Sequence, residues 1–165
     1  MLPYTSRARD ATFAEAAASF GLVHSGIDVS GDDYAYWKAF RSLWQAQRDF
    51  VIIEHDVVVP PDASASFEEC PKPWCCYEYQ CHNETSTWLA FGLGLVRFRQ
   101  SLIERHPTVA LHPTPWTGLD EAVCGGLAQR GETPHVHGRT GHDHHYLEVA
   151  QWSLTPDGRP ERIST

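Results

Sequence analysis

Apolar positions along this chain fall into two rhythms, helical stripes and short β-branched runs, and these alternate in a way that suits an α/β layer. Residues 11 to 20 are Ala-rich, with Phe13, Ala16, Ala17 and Phe20 on one side, which predicts a short helix. Leu22-Val23-His24 reads as a brief strand after Gly21. Asp32 or Asp33 is placed to cap a second helix, in which Tyr36, Trp37, Phe40, Leu43 and Trp44 follow i, i+1, i+4, i+7, i+8 spacing and form a core-facing stripe. Phe50-Val51-Ile52-Ile53 then predicts a buried strand. It runs straight into Glu54-His55-Asp56 and turns away at Pro60-Pro61.

Residues 60 to 82 carry turn formers and cysteines without a clear period, which predicts a long irregular excursion. Trp88 to Phe91 reads as a strand broken by Gly92-Leu93-Gly94. A third helix follows, with Leu95, Phe98, Leu102 and Ile103 inward, and stops at His106-Pro107. A fourth helix spans about Thr117 to Arg130, burying Leu119, Val123 and Leu127, and Gly131 is suited to end it. No repeat or dividing linker is visible, so residues 1–165 are expected to form a single domain around one core.

Composition narrows the function classes. Hydrophobic content of 42% with 6 Trp is that of a globular chain. A net charge of −8 argues against binding along a nucleic-acid backbone. No apolar run reaches the roughly 20 residues of a membrane span, and the start has no basic region leading into an apolar stretch, so a cytoplasmic protein is expected. Four of the 5 cysteines crowd into Cys70, Cys75, Cys76 and Cys81, which in a reducing compartment suggests metal or plain packing before disulfides.

Two segments carry candidate chemistry. Glu54 and Asp56, two apart at a strand end, point to one side of an extended chain, and adjacent anions repel unless a cation joins them. A divalent metal is the natural third party, and the alternative is an acidic pair marking the solvent end of a strand. His55, between them, faces the other way and reads as a packed histidine. In the last third, His135, His137, His142, His144 and His145 lie within eleven residues, a metal-ligand spacing that a partly exposed polar strand would also show. The Cys70, Cys75, Cys76, Cys81 pattern lacks the close spacing of common zinc knuckles. A structural Zn²⁺ there and a stabilised loop around Trp74 both remain open.

Taken in order, the acidic strand end before Pro-Pro, the Gly92-Leu93-Gly94-Leu95-Val96-Arg97-Phe98-Arg99 segment, the Trp116-Thr117-Gly118-Leu119-Asp120-Glu121 helix start and a late His resemble nucleotide-sugar glycosyltransferases of the GT-A fold. That resemblance implies a small, GT-A-like (Rossmann-like) α/β fold, a mixed sheet flanked by helices. It implies that Glu54-His55-Asp56 fills the DxD-type motif, with Asp56 on Mn²⁺ or Mg²⁺ and Glu54 on the ribose or the metal. Asp120 falls where the family often has its catalytic base, with Glu121 as the other choice. Arg97 falls where an arginine lies beneath donor and acceptor, and His142 or His144 completes the metal shell. Pro3-Tyr4-Thr5-Ser6-Arg7 is similar to the family's nucleoside-holding turn, making Pro3, Tyr4, Thr5 and Arg7 candidate donor contacts.

Each carried-over role has a plainer counterpart. Thr117-Gly118-Leu119-Asp120 also matches a helix capping box, and Arg97 also reads as a solvated helix charge. The expected function is metal-dependent transfer of a sugar from a nucleotide-diphosphate sugar to an unidentified hydroxyl acceptor. The alternatives are a zinc-binding interaction module, suggested by the clustered Cys and His, and a His-rich metallohydrolase.

Overall fold

The computed structural model describes residues 1–5, 10–21, 26–82, 87–142, 152–154 and 160–162. It is a mixed α/β fold in which helices flank a mixed sheet. The expected strand at Leu22-Val23-His24, and the candidate residues Arg7 and His144, lie outside the described residues.

The sheet's centre is β4 (Trp74–His82). Its first half pairs antiparallel with β6 (Leu95–Phe98), its second half pairs antiparallel with β5 (Thr87–Ala90), and its other edge pairs parallel with β7 (His135–Thr140). β6 in turn pairs antiparallel with β3 (Phe50–Ile53). A short β1 (Leu2–Tyr4) pairs parallel with β2 (Gly26–Asp28). Met1 joins that pair to β3: its amino group donates to Val51 O at 2.8 Å and its carbonyl accepts from Ile53 N at 3.0 Å, the two bonds of a parallel ladder flanking Ile52. Following these pairings, β1, β2, β3, β4 and β7 all run one way and β5 and β6 run the other. The carboxyl ends of β1, β3, β4 and β7 therefore open on the same edge of the sheet, which is where open α/β sheets collect ligands. Apart from this framework, β8 (Trp152–Leu154) and β9 (Pro160–Arg162) form an antiparallel pair.

Two apolar layers cover the sheet. On one side α2 (Ala35–Gln45) lays Tyr36, Phe40 and Trp44 against Phe98, Trp74 and Ile52, with Phe40 and Trp44 stacked at 5.2 Å between ring centres. The stripe read from the sequence is this face. The same layer takes Leu102 and Ile103 from α4 (Gln100–Arg105), and Leu119, Val123 and Leu127 from the helix made by α5 (Trp116–Asp120), a π-helical turn (Glu121–Gly125) and α6 (Gly126–Ala128). Gly131, with φ of 78°, takes the left-handed conformation that terminates this helix. On the other side, α1 (Asp10–Phe20) and α3 (Ala63–Glu69) pack Ala16, Ala63 and Phe67 against Ile53, Cys75, Tyr77 and Leu95. No helix among the described residues is long and apolar enough to cross a membrane.

Three expectations are corrected here. Residues 60–82 are not an irregular excursion, since they contain α3 and the central strand β4. Cysteines and aromatics occupy both faces of β4, because both faces are covered, so no polar alternation marks it in the sequence. The third helix is shorter than expected: Leu95–Phe98 is strand β6, buried throughout, and only Gln100–Arg105 is helical. Neighbouring strand residues face opposite ways, and Cys75 and Cys76 accordingly belong to different core layers, so Cys70, Cys75, Cys76 and Cys81 do not surround one ion.

Arg97 is likewise neither a surface helix charge nor a donor contact. It is buried in β6, and its guanidinium donates to the carbonyls of Phe67 (2.5 Å), Cys70 (3.2 Å) and Lys72 (2.7 Å), tying the loop after α3 to the sheet. Arg97→Met would take this donor from the Phe67 and Lys72 carbonyls, while the Cys70 carbonyl keeps Arg99. The substitution is expected to lower unfolding free energy by at least about 3 kcal/mol in urea titration. Stability close to wild type would contradict this structural role.

Candidate functional site

The site forms where β3 ends. The ladder with β6 makes one further bond, from Glu54 N to Gly94 O at 2.7 Å, and the chain then turns, Val57 N closing on Glu54 O at 3.2 Å. Glu54 and Asp56 thus sit on a tight turn, not on one face of a continuing strand. The turn is held from both sides. Thr12 of α1 donates its hydroxyl to His55 O at 2.6 Å and Val57 O at 3.2 Å, and Glu15 accepts from Val59 N at 3.0 Å. From the far edge, the chain leaving β7 runs alongside: Val58 N donates to Gly141 O at 2.9 Å, the Thr140 hydroxyl donates to Val58 O, and Val57 bridges to His142.

That bridge delivers His142 to the acids. Its Nε2 lies 3.3 Å from a carboxylate oxygen of Asp56, with both side chains more than nine-tenths buried. Glu54, Asp56 and His142 each present one ligand atom, and these atoms lie within 4.8 Å of one another. Asp120 approaches from the helix. One carboxylate oxygen accepts from Leu93 N at 3.1 Å and the other from the Tyr79 hydroxyl at 3.3 Å, while the Tyr79 ring lies 4.6 Å from that of His142. Tyr36 of α2 donates its hydroxyl to Glu54 Oε1 at 2.9 Å. Three carboxyl groups are therefore gathered around one turn, linked through two tyrosines and an imidazole.

The sequence placed Asp120 in a capping box, but no side chain caps this helix and its carboxylate reaches across to Leu93 and Tyr79. Asp120 is the last α-helical residue before the π-helical turn. The i→i+5 bonds of that turn widen the helix and keep Leu119, Val123 and Leu127, spaced four apart, on one buried line with Asp120 at its margin. Gly92 and Gly94 leave room for this approach. A methyl group on Gly92 would strike the Asp120 carboxylate and lie 2.6 Å from the Tyr79 hydroxyl, and one on Gly94 would lie 2.7 Å from the Tyr79 ring.

Electrostatics follow from the crowding. Burial pushes the Glu54 carboxyl well above its ordinary range, and the charges of Asp120 and Asp56 push it further. Burial also raises Asp120, partly offset by the Leu93 and Tyr79 hydrogen bonds and by His142. Burial and the Glu54 charge raise Tyr36, which stays a hydrogen-bond donor. An arrangement that resists its own negative charge suits a divalent cation, which Glu54, Asp56 and His142 could hold through two carboxylates and one imidazole.

Of the other candidates, Tyr4 and Thr5 lie at the carboxyl end of β1, the same end as Glu54, and the Tyr4 ring packs edge-on against Phe13 at 5.8 Å. Pro3 is buried within β1. Glu121 starts the π turn, and no hydrogen bond from its side chain to the Glu54–Asp120 network is seen among the described residues. His55 is buried and stands apart from the ligand group. Sequence reasoning missed Tyr36 and Tyr79. Tyr36 looked like one more member of an apolar stripe, and Tyr79 lay in the segment read as loop. Comparison with known proteins yields no matching family model, no matching curated protein and no matching solved structure.

Two outcomes follow. The folded chain keeps the Glu54 proton to higher pH than the unfolded chain, whose carboxyl titrates near 4.5, so between those values folding binds protons and stability falls as pH rises. Asp120 acts in the same direction. Chelator-treated protein should lose thermal stability from pH 5 toward pH 8, and Glu54→Gln should flatten that slope; an unchanged slope in the variant would contradict the crowding of charge on Glu54. Gly92→Ala should cost about 1–3 kcal/mol in denaturant titration, because it forces Asp120 or Tyr79 from its place. A neutral result would mean that the close approach is not made.

Proposed function

We propose that this protein is a metal-dependent glycosyltransferase that moves a sugar from a nucleotide-diphosphate sugar to a hydroxyl acceptor. The observation that carries the reading is the meeting of Glu54, Asp56 and His142 at the carboxyl end of β3, with the Asp120 carboxylate held beside them. The strand directions support it, since β1 brings Tyr4 and Thr5 to the same sheet edge, where a nucleoside would lie next to the acids.

The chemistry required matches the groups present. Glu54, Asp56 and His142 would hold a divalent cation, whose positive charge would offset that of a departing diphosphate. Asp56, locked between its own turn and His142, fixes where that charge sits. Glu54, anchored by the Tyr36 hydroxyl, gives up its proton when it becomes a ligand, so binding strengthens as pH rises through its range. Asp120 serves as the base toward an acceptor hydroxyl. Its carboxyl is raised above the ordinary aspartate value, which makes it the stronger proton acceptor, and the Leu93 and Tyr79 hydrogen bonds aim it. Glycines 92 and 94 let the Asp120 carboxylate and the Tyr79 side chain come this close to the backbone.

A thermal-shift screen of nucleoside diphosphates and nucleotide sugars, with and without Mn²⁺, tests the proposal. A matching ligand at a hundred times its dissociation constant adds roughly 2.7 kcal/mol of stability. This shift should appear with Mn²⁺, vanish in Asp56→Asn and persist in Asp120→Asn. With the donor found, turnover in Asp120→Asn should fall by roughly a hundred- to ten-thousand-fold. Nucleotide binding indifferent both to Mn²⁺ and to Asp56→Asn would overturn the reading.

A further inference from the structure

A second group of metal-ligating side chains lies on the α1/α3 side of the sheet. β7 pairs parallel with β4 so that His135 stands beside Cys75, and Cys75 stands in turn beside Arg97 of β6. Two residues on, His137 points to the same face of β7, with its ring against Tyr77 and Phe67, each 5.6 Å away, and 4.7 Å from the His135 ring. Cys70, just past the end of α3, comes down over this row and is buried. One ligand atom from each of Cys70, His135 and His137 lies within 4.8 Å of the other two.

Two further observations point to a ligand. The Nε2 of His137 is buried and has no hydrogen-bond partner among the described residues, although a buried imidazole nitrogen ordinarily finds one. The backbone that presents Cys70 is also fixed from behind: its carbonyl accepts from both Arg97 (3.2 Å) and Arg99 (2.8 Å). These two arginines spend their donors on loop carbonyls, so the thiol is positioned by them. Such outer hydrogen bonds are what orient metal ligands in general.

We infer that Cys70, His135 and His137 form a zinc site, with a water as the fourth ligand, which clamps the loop after α3 to strand β7. The donor set, one thiolate with two imidazoles, is that of zinc. Zinc–sulfur and zinc–nitrogen bonds of about 2.3 and 2.0 Å place tetrahedral ligand atoms roughly 3.3–3.8 Å apart, so closure asks for side-chain movements of about an ångström. On binding, the Cys70 thiol releases its proton to solvent as the sulfur–zinc bond forms, and the imidazoles bind as neutral groups. The site uses none of the residues at the β3 tip. His137 and His142 are five positions apart along largely extended chain, on the order of 15 Å. It therefore stands or falls independently of the transferase reading.

Cobalt serves as the probe, because Co²⁺ occupies zinc sites and a cysteine ligand gives it an intense near-ultraviolet charge-transfer band. The reduced full-length protein, stripped of metal and titrated with Co²⁺, is expected to develop that band with one equivalent and to lose it when Zn²⁺ is added. Cys70→Ser should abolish the band. His135→Gln, which changes an exposed side chain and leaves the core intact, should weaken Co²⁺ binding at least tenfold, and Asp56→Asn should leave the band unchanged. Absence of the band in the wild-type protein, its survival in a His135→Gln, His137→Gln double variant, or its loss in Asp56→Asn would each overturn the assignment.

Discussion

The interaction on which the rest of this structure depends is the mutual repulsion of carboxylates gathered at the end of β3. Glu54, Asp56 and Asp120 come from a turn and a helix far apart in sequence, and each is held where it is by neutral or positive groups: Tyr36, Tyr79, the Leu93 amide and His142. Left alone, such a group keeps a proton: burial first, and then the charges of Asp120 and Asp56, hold the Glu54 carboxyl above its ordinary range. A divalent cation relieves the repulsion more completely. Folding energy is thus spent to assemble a place that favours positive charge, a pattern common where a protein's surface has a task beyond cohesion.

The remainder of the fold explains how that repulsion is withstood. α1 grips the turn from one side through Thr12 and Glu15, and the segment leaving β7 grips it from the other through Thr140 and Gly141. α2 contributes Tyr36 from the same stripe that places Phe40 and Trp44 in the core, so the hydroxyl that anchors Glu54 is fixed by aromatic packing. Close approach needs small residues, and Gly92, Gly94 and Gly141 occupy the three positions where a methyl group would collide with Asp120, Tyr79 or Val58. The zinc clamp inferred for Cys70, His135 and His137 would act on the same strand upstream, fixing β7 before it carries His142 to the acids.

Much of this could be read from the sequence where a single physical rule dominates. The α2 stripe and the β3 strand each follow from one periodicity, whereas Glu54 and Asp56, read on one side of an extended chain, lie on a turn closed by Val57 N on Glu54 O. β4 resisted reading because a strand buried on both faces shows no alternation, and its cysteines invited a metal pattern that its pleat forbids. Arg97 was misplaced because a buried guanidinium satisfied by carbonyls looks, in sequence, like any charge near a helix. Asp120 matched a capping box by spacing, yet its partners come from β4 and the Gly92–Gly94 loop, contacts that no local pattern encodes. That His142 reaches the acids likewise depends on the Val57 bridge, a tertiary event.

The most direct test of the central claim is anomalous diffraction at the manganese edge from crystals grown or soaked with Mn²⁺. The account predicts one strong peak at the tip of β3, within coordination distance of Glu54, Asp56 and His142 and adjacent to Asp120. A map with no peak there, and with Glu54 and Asp56 turned apart toward solvent, would contradict it.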